Sequence, residues 1–189
     1  MRFAKLIVLS VILALVSGCS LSPRTYHDQN MDFSIIQTVA VLPFANLTNH
    51  KNAEDRVRDV FMNMLLSTGG VYVLPAGEVA RGISRSMLSD GSAPSVKEIQ
   101  KLGAVLGTDA VITGVLKEYG EVRSGTAAAN VVSLSLQLIE VETGKVVWVG
   151  ASTKGGISTK DRLLGGGGQP MNTITEEAVS ELIKMLFKG

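Results

Sequence analysis

The fold is decided by the stretch NVVSLSLQLIEVETGKVVWVGAST, residues 130–153. In its first half the apolar residues Val132, Leu134, Leu136 and Leu138 alternate with Ser133, Ser135 and Gln137. Strict alternation of this kind is typical of a β-strand with one buried face and one face of small polar groups. Thr143 and Gly144 then supply a tight turn, and residues 145–153 form the returning strand. The stretch therefore predicts an antiparallel hairpin.

Outward from this hairpin the chain alternates between short apolar runs and amphipathic stretches. Residues 38–44, 71–74 and 109–119 are predicted strands, because their apolar runs are short and end at proline or glycine. Four helices are predicted, the third beginning at a Ser95/Glu98 capping box and the fourth at Thr173 and Glu176. This order predicts an α/β single-domain sandwich, with a mixed sheet of about five strands and about four helices.

The N-terminus carries a targeting signal. Arg2 and Lys5 precede an apolar run at residues 6–17, which is too short to cross a bilayer as a stable helix. The run ends in Val16-Ser17-Gly18-Cys19, which resembles the bacterial lipobox. That resemblance implies cleavage before Cys19 and lipidation of its thiol, the only one in the chain. The alternative is an ordinary secretory signal with an incidental cysteine.

Three regions follow from this signal. Residues 1–18 are predicted to be the signal peptide, residues 19–34 a lipidated flexible tether, and residues 35–189 the periplasmic domain. The formal net charge is only +1 and no basic patch stands out, which argues against nucleic acid as a partner. Ser20 is not aspartate, and in lipoproteins that resemble this one that favours the outer membrane.

Three further segments are similar to one superfamily of bacterial envelope proteins. They are VAVLPF at residues 39–44, LGTDAVITG at residues 106–114 and VETGKVVW at residues 141–148. The superfamily includes the curli secretion channel subunit CsgG and lipoproteins related to it, the penicillin-binding-protein activator LpoB, and the N-terminal domain of TolB. The chain resembles the CsgG-related lipoproteins most. The resemblance implies a shared α/β scaffold, and a scaffold does not by itself determine a function.

One departure from the channel subunit is informative. Resemblance to CsgG implies two amphipathic hairpins that build a membrane barrel, and each strand of a barrel needs about 9–11 alternating residues. Residues 120–130 are too short and too poor in aromatic residues, and glycines and charges dominate residues 154–170. We therefore expect the periplasmic domain without the pore.

The residue inventory predicts a protein that is not an enzyme. The only histidines are His27, in the predicted tether, and His50, in a polar loop. No nucleophile elbow, zinc-ligand spacing or Cys-x-x-Cys is present, and the glycine run before the last helix lacks the lysine of a phosphate-binding loop. We predict no metal and no cofactor.

The remaining functional classes are proteins that act by binding other molecules. We expect a non-catalytic, outer-membrane-anchored accessory or assembly/secretion factor that acts through protein–protein contacts. Its expected partners are envelope proteins, including a CsgG-like channel, or a second copy. The alternatives are an LpoB-like activator of a peptidoglycan synthase and a small-ligand sensor. Besides the lipidation site Cys19, the candidate partner-binding residues are Arg123, Ser124, Gly125, Trp148, Gly165, Gly166, Gly167 and Gly168.

Overall fold

The structure is a computed structural model, and it describes residues 25–157 and 168–188. Its helices are α1 (Ala53–Ser67), α2 (Ala76–Ser86), α3 (Val96–Leu106) and α4 (Met171–Leu186). Its strands are β1 (Thr25–His27), β2 (Thr38–Val41), β3 (Ala45–Asn46), β4 (Tyr72–Val73), β5 (Ala110–Ser124), β6 (Ala127–Glu140) and β7 (Val146–Gly155). The predicted α/β class and single domain are confirmed.

The sheet has seven strands in the order β1-β7-β6-β5-β2-β4, and β3 pairs with β5 in line with β2. The β2–β4, β2–β5 and β3–β5 pairs are parallel, whereas the β5–β6, β6–β7 and β7–β1 pairs are antiparallel. The sheet is therefore mixed, as predicted. The strands beyond the predicted five are β1 and β3, which are too short for an alternating pattern to be visible in the sequence.

Two apolar clusters cover the sheet. The larger one lies on the α1 and α4 side and contains Phe61, Trp148 and Leu182, all completely buried. The smaller one lies on the other side, where α2 and α3 pack through Val79 and Leu102. On this second side of the sheet, the smaller cluster does not cover all of β6 and β7. That face of the antiparallel strands therefore remains partly exposed.

The boundary between tether and domain differs from the prediction, because residues 25–34 belong to the fold. Strand β1 pairs with β7, and the Asp28 amide donates to the Val147 carbonyl at 2.8 Å. The His27 ring lies 5.8 Å from the Phe33 ring and 6.4 Å from the Trp148 ring. An edge strand of this length gains its main-chain hydrogen bonds from a distant strand, which a local pattern does not reveal. The predicted signal peptide and residues 19–24 lie outside the described residues.

The helix starts were predicted with mixed success. The Ser95/Glu98 capping box is present, and the pKa of Glu98 lies below its usual value because the backbone and hydroxyl of Ser95 donate hydrogen bonds to its carboxylate. The predicted Thr173/Glu176 cap is wrong, since α4 begins at Met171 with Pro170 at the N-cap position. Proline already holds the backbone φ angle that a helix start accepts, so the helix begins earlier.

Candidate functional site

A hairpin extends beyond the helices at one end of the sheet. The last residue of β5 that pairs with β3 is Leu116, and the first residue of β6 that pairs with β7 is Val131. We call residues 117–131 the hairpin arm. Within it β5 and β6 stay paired as far as Ser124 and Ala127, and Gly125 in the turn has a φ of +61°.

The arm is longer than the sequence pattern predicts, because the predicted strands end at Tyr119 and begin again at Asn130. The strands continue through this gap and meet in a tight turn. The pattern was missed because Gly120 and the alanines of residues 127–129 show no alternation between apolar and polar side chains. Antiparallel pairing needs only the main-chain groups of both strands, so it persists without that alternation.

The two edges of the arm differ. On the β6 edge, the amide of Gly156 donates to the Asn130 carbonyl at 2.7 Å, and the Asn130 side chain donates to the Gln169 carbonyl at 2.9 Å. On the β5 edge, no described element outside the hairpin makes a main-chain hydrogen bond with residues 121–124. An unpaired strand edge is a template for a strand from another chain.

The base of the β5 edge is covered by the loop before α1. The His50 ring lies 6.0 Å from the Tyr119 ring, and Gly120 has a φ of +142° with no room for a Cβ beside the His50 imidazole. Residues 121–124 and the turn lie beyond this cover and are exposed. Val122 is 38% exposed there, and Arg123 pairs with Glu121 at 2.6 Å on the surface.

The structure separates the predicted partner-binding residues. Arg123, Ser124 and Gly125 lie at the exposed tip of the arm, and Gly168 is exposed beside its base, close to Ala129. Trp148 is completely buried under β1 and α4, so its assignment to partner binding is wrong: an indole needed by the core is not available to a partner. Gly165, Gly166, Gly167 and Cys19 lie outside the described residues.

The partly exposed face of β5, β6 and β7 adjoins the arm. It carries Thr113, Ser133, Ser135, Ala151 and Thr153, and the hydroxyls of Ser133 and Thr153 are 2.9 Å apart. The predicted face of small polar groups is therefore confirmed. A shallow cavity of about 260 Å³ separates this face from the loop that contains Pro94.

An open groove of about 820 Å³ lies between β1, β7 and α4. Lys154 pairs with Glu181 there at 3.0 Å, and the pKa of Glu181 is lowered chiefly because the Ser152 hydroxyl donates a hydrogen bond to its carboxylate. Across residues 25–157 and 168–188, no cluster of His, Cys, Asp and Glu could hold a metal ion. The same ranges contain no helix with the length and hydrophobicity needed to traverse a bilayer.

The Ser152–Glu181 contact predicts a pH-dependent stability difference. The folded-state pKa of Glu181 is lowered, so its contribution is present above the unfolded pKa, near 4.5, and is lost as the pH falls through the folded value. Ser152→Ala should therefore lower the free energy of unfolding at pH 7, and the Glu181-dependent part of this loss should be smaller at pH 3. Urea unfolding at both pH values measures this, with Ser133→Ala as the control. A difference that stays constant with pH would contradict the assignment.

The family is known from comparison with other proteins. A family model described as "Putative lipoprotein GNA1162-like" matches residues 29–185, which is most of the chain. The chain belongs to this family of lipoproteins. The match supports the predicted lipoprotein character, whereas the finer resemblance to the CsgG-related lipoproteins stays a prediction.

Individual relatives agree with the family. The chain is 28% identical over 102 residues to "Putative lipoprotein NMB1124/NMB1162" of Neisseria meningitidis serogroup B, an alignment that covers 53% of this chain and 47% of the relative. It thus spans about half the length of that curated relative. The crystal structure of lipoprotein GNA1162 from Neisseria meningitidis is similar with a TM-score of 0.59 and 20% identity, covering 81% of this chain and 99% of that one.

A second solved structure with this fold is the PelC dodecamer from Paraburkholderia phytofirmans. Its TM-score is 0.56 at 18% identity, and the match covers 87% of this chain and 96% of that chain. At this identity the likeness concerns the fold, not the function.

Proposed function

We propose that this protein is a non-catalytic lipoprotein, anchored through Cys19 at the periplasmic face of the outer membrane, that works by assembling with other proteins through the hairpin arm. The observation that carries the proposal is the open β5 edge at residues 121–124. Main-chain hydrogen bonds to such an edge supply affinity, and the side chains at the tip supply selectivity.

Self-assembly is the first kind of contact we propose. An open edge on each copy lets the same surface serve in every subunit of a symmetric oligomer. The PelC neighbour, which shares the fold, was crystallised as a dodecamer, and that supports the same behaviour here. The partly exposed sheet face beside the arm offers additional area, because small residues let another chain approach closely.

Envelope proteins are the second kind of partner, with a CsgG-like secretion channel as the candidate from the sequence resemblance. The anchor places the body close to the membrane in which such a partner resides. Because β1 begins at Thr25, only residues 20–24 separate the fold from the lipidated cysteine, and a chain of this length spans at most roughly 20 Å. This short reach argues against a role like that of LpoB, which would need contact with a peptidoglycan synthase far from the outer membrane.

Assembly through the arm predicts a specific response to one substitution. Val122→Asp places a charge on the arm without touching the core, so we expect it to shift the purified protein from oligomer towards monomer. Val105→Asp on α3 is the matched control, because Val105 is 40% exposed and Val122 38%. Light scattering in detergent over a range of protein concentrations measures the mass. A monomeric native protein, or equal masses for both variants, would contradict self-assembly.

Affinity capture from membranes tests the partner. We expect envelope assembly or secretion proteins to co-purify with the native chain and the Val105→Asp variant, and to be depleted with Val122→Asp. A peptidoglycan synthase as the main partner would overturn the proposal in favour of the activator role.

A further inference from the structure

An apolar cavity of about 560 Å³ opens at the end of the sheet opposite the hairpin arm. Its floor consists of the core side chains Val39, Leu65, Ile112 and Leu138, so it reaches the main apolar cluster. Its walls come from three separate parts of the chain: Phe33 and Ile36 after β1, Val71 before β4, and Phe187 after α4.

The chemistry of the lining selects the ligand class. Among the residues that the structure describes, no charged side chain lines the cavity, and its polar side chains, Ser34 and Gln37, are on exposed residues. A cavity with an apolar floor and a polar rim fits a linear alkyl chain whose polar end stays at the mouth. An anionic or strongly polar ligand would lose its hydration without gaining a charged partner.

The position of the cavity relative to the lipid anchor indicates the source of such an alkyl chain. Phe33 lines the cavity and lies 5.8 Å, ring to ring, from His27 of β1. From Cys19 to Thr25, where β1 starts, the peptide spans at most roughly 20 Å. A group attached at Cys19 therefore stays within roughly 20 Å of Thr25, two residues before His27, and samples the region of the mouth at an effective concentration on the order of millimolar.

We propose that one fatty-acyl chain of the anchor on Cys19 inserts into this cavity while the remaining chains stay in the bilayer. The inference rests on the lipid anchor of the proposed function. Moving an alkyl chain from lipid to an apolar cavity exchanges one apolar surrounding for another, so it carries no large hydrophobic penalty. The inserted chain supplies dispersion contacts to the cavity walls and holds the body against the membrane in one orientation.

Photo-crosslinking with the intact lipoprotein tests this inference. Cells are fed a fatty acid that carries a diazirine on its alkyl chain, and the purified lipidated protein is reconstituted into phosphatidylethanolamine–phosphatidylglycerol vesicles and irradiated. Mass spectrometry of the peptides should show the Cys19 lipopeptide joined to residues 33–37, 71 or 186–187 of the same chain.

Two variants make the result specific. Val71→Trp fills the cavity and should reduce this crosslink at least about tenfold, because an indole in this space excludes the alkyl chain sterically. Gln37→Trp at the exposed mouth is the second blocking variant, in case Val71→Trp does not fold as judged by circular dichroism. Leu47→Trp is the control, since Leu47 is 69% exposed and does not line the cavity, and it should leave the yield unchanged.

The other outcomes overturn the inference and remain distinguishable. Crosslinks to phospholipid, to a second copy or to residues elsewhere, with none to the cavity lining of the same chain, would assign the cavity to another occupant or to none, while the anchor itself stands. An unmodified Cys19 in the same mass spectrum would remove the anchor, and with it the proposed membrane placement.

Discussion

Replacement of Trp148 by alanine is expected to destabilise the fold by about 3–5 kcal/mol, the range for removing a large aromatic side chain from a core. Trp148 is completely buried and belongs to the cluster under α1 and α4. Its ring contacts His27 of β1 and lies over Gly150 of its own strand, where a Cβ would overlap it. The substitution removes this contact area and leaves a cavity at the β1 edge.

Urea unfolding of the purified protein measures the loss. The control is Tyr26→Ala. It removes an aromatic side chain of the neighbouring strand β1 that is 50% exposed, and it should lower the free energy of unfolding much less. A Trp148→Ala protein with native stability and reduced partner capture would contradict burial and restore the binding role that the sequence suggested.

Cys19→Ala is expected to move the protein from the membrane fraction to the soluble fraction, with a fall in membrane partition on the order of a hundredfold or more. Stable attachment of a protein to a bilayer takes two or more lipid signals, and this substitution removes the thiol that would carry them. Within residues 25–157 and 168–188, no helix is long and apolar enough to span a bilayer.

Carbonate-washed membranes and the soluble fraction are compared by immunoblotting, and the mass of each product is measured. Only product that has lost residues 1–18 is counted, because an uncleaved apolar leader would hold the chain to the membrane by itself. Ser20→Ala is the control and should remain membrane-bound. Processed Cys19→Ala protein that resists the carbonate wash would show that something other than the cysteine attaches it.

The parts of the fold that the sequence predicts are those with local signals. Alternation along residues 132–138 indicates β6. The Ser95/Glu98 capping box marks the start of α3, and Gly107 marks its end. These features depend on neighbours within a few residues, so a pattern in the chain is enough to reveal them.

The parts that the sequence does not predict depend on distant partners. Strand β1 exists because β7 offers its edge to Thr25–His27, and its pairing removes residues 25–34 from the predicted tether. The hairpin arm exists because β5 and β6 pair through alanines and glycine without alternation. Trp148 shows the reverse case, in which a residue type common in binding sites serves the core.

Crosslinking from the arm in living cells tests the central claim most directly. A photoreactive amino acid at position 124, on the exposed tip, is compared with one at position 80, on the exposed side of α2. If the protein works through the hairpin arm, position 124 should give discrete crosslinked adducts with a second copy or with an envelope protein. Position 80 should give few. Adducts only from position 80, or none from position 124 in cells where the protein is lipidated and folded, would contradict a role exercised through the hairpin arm.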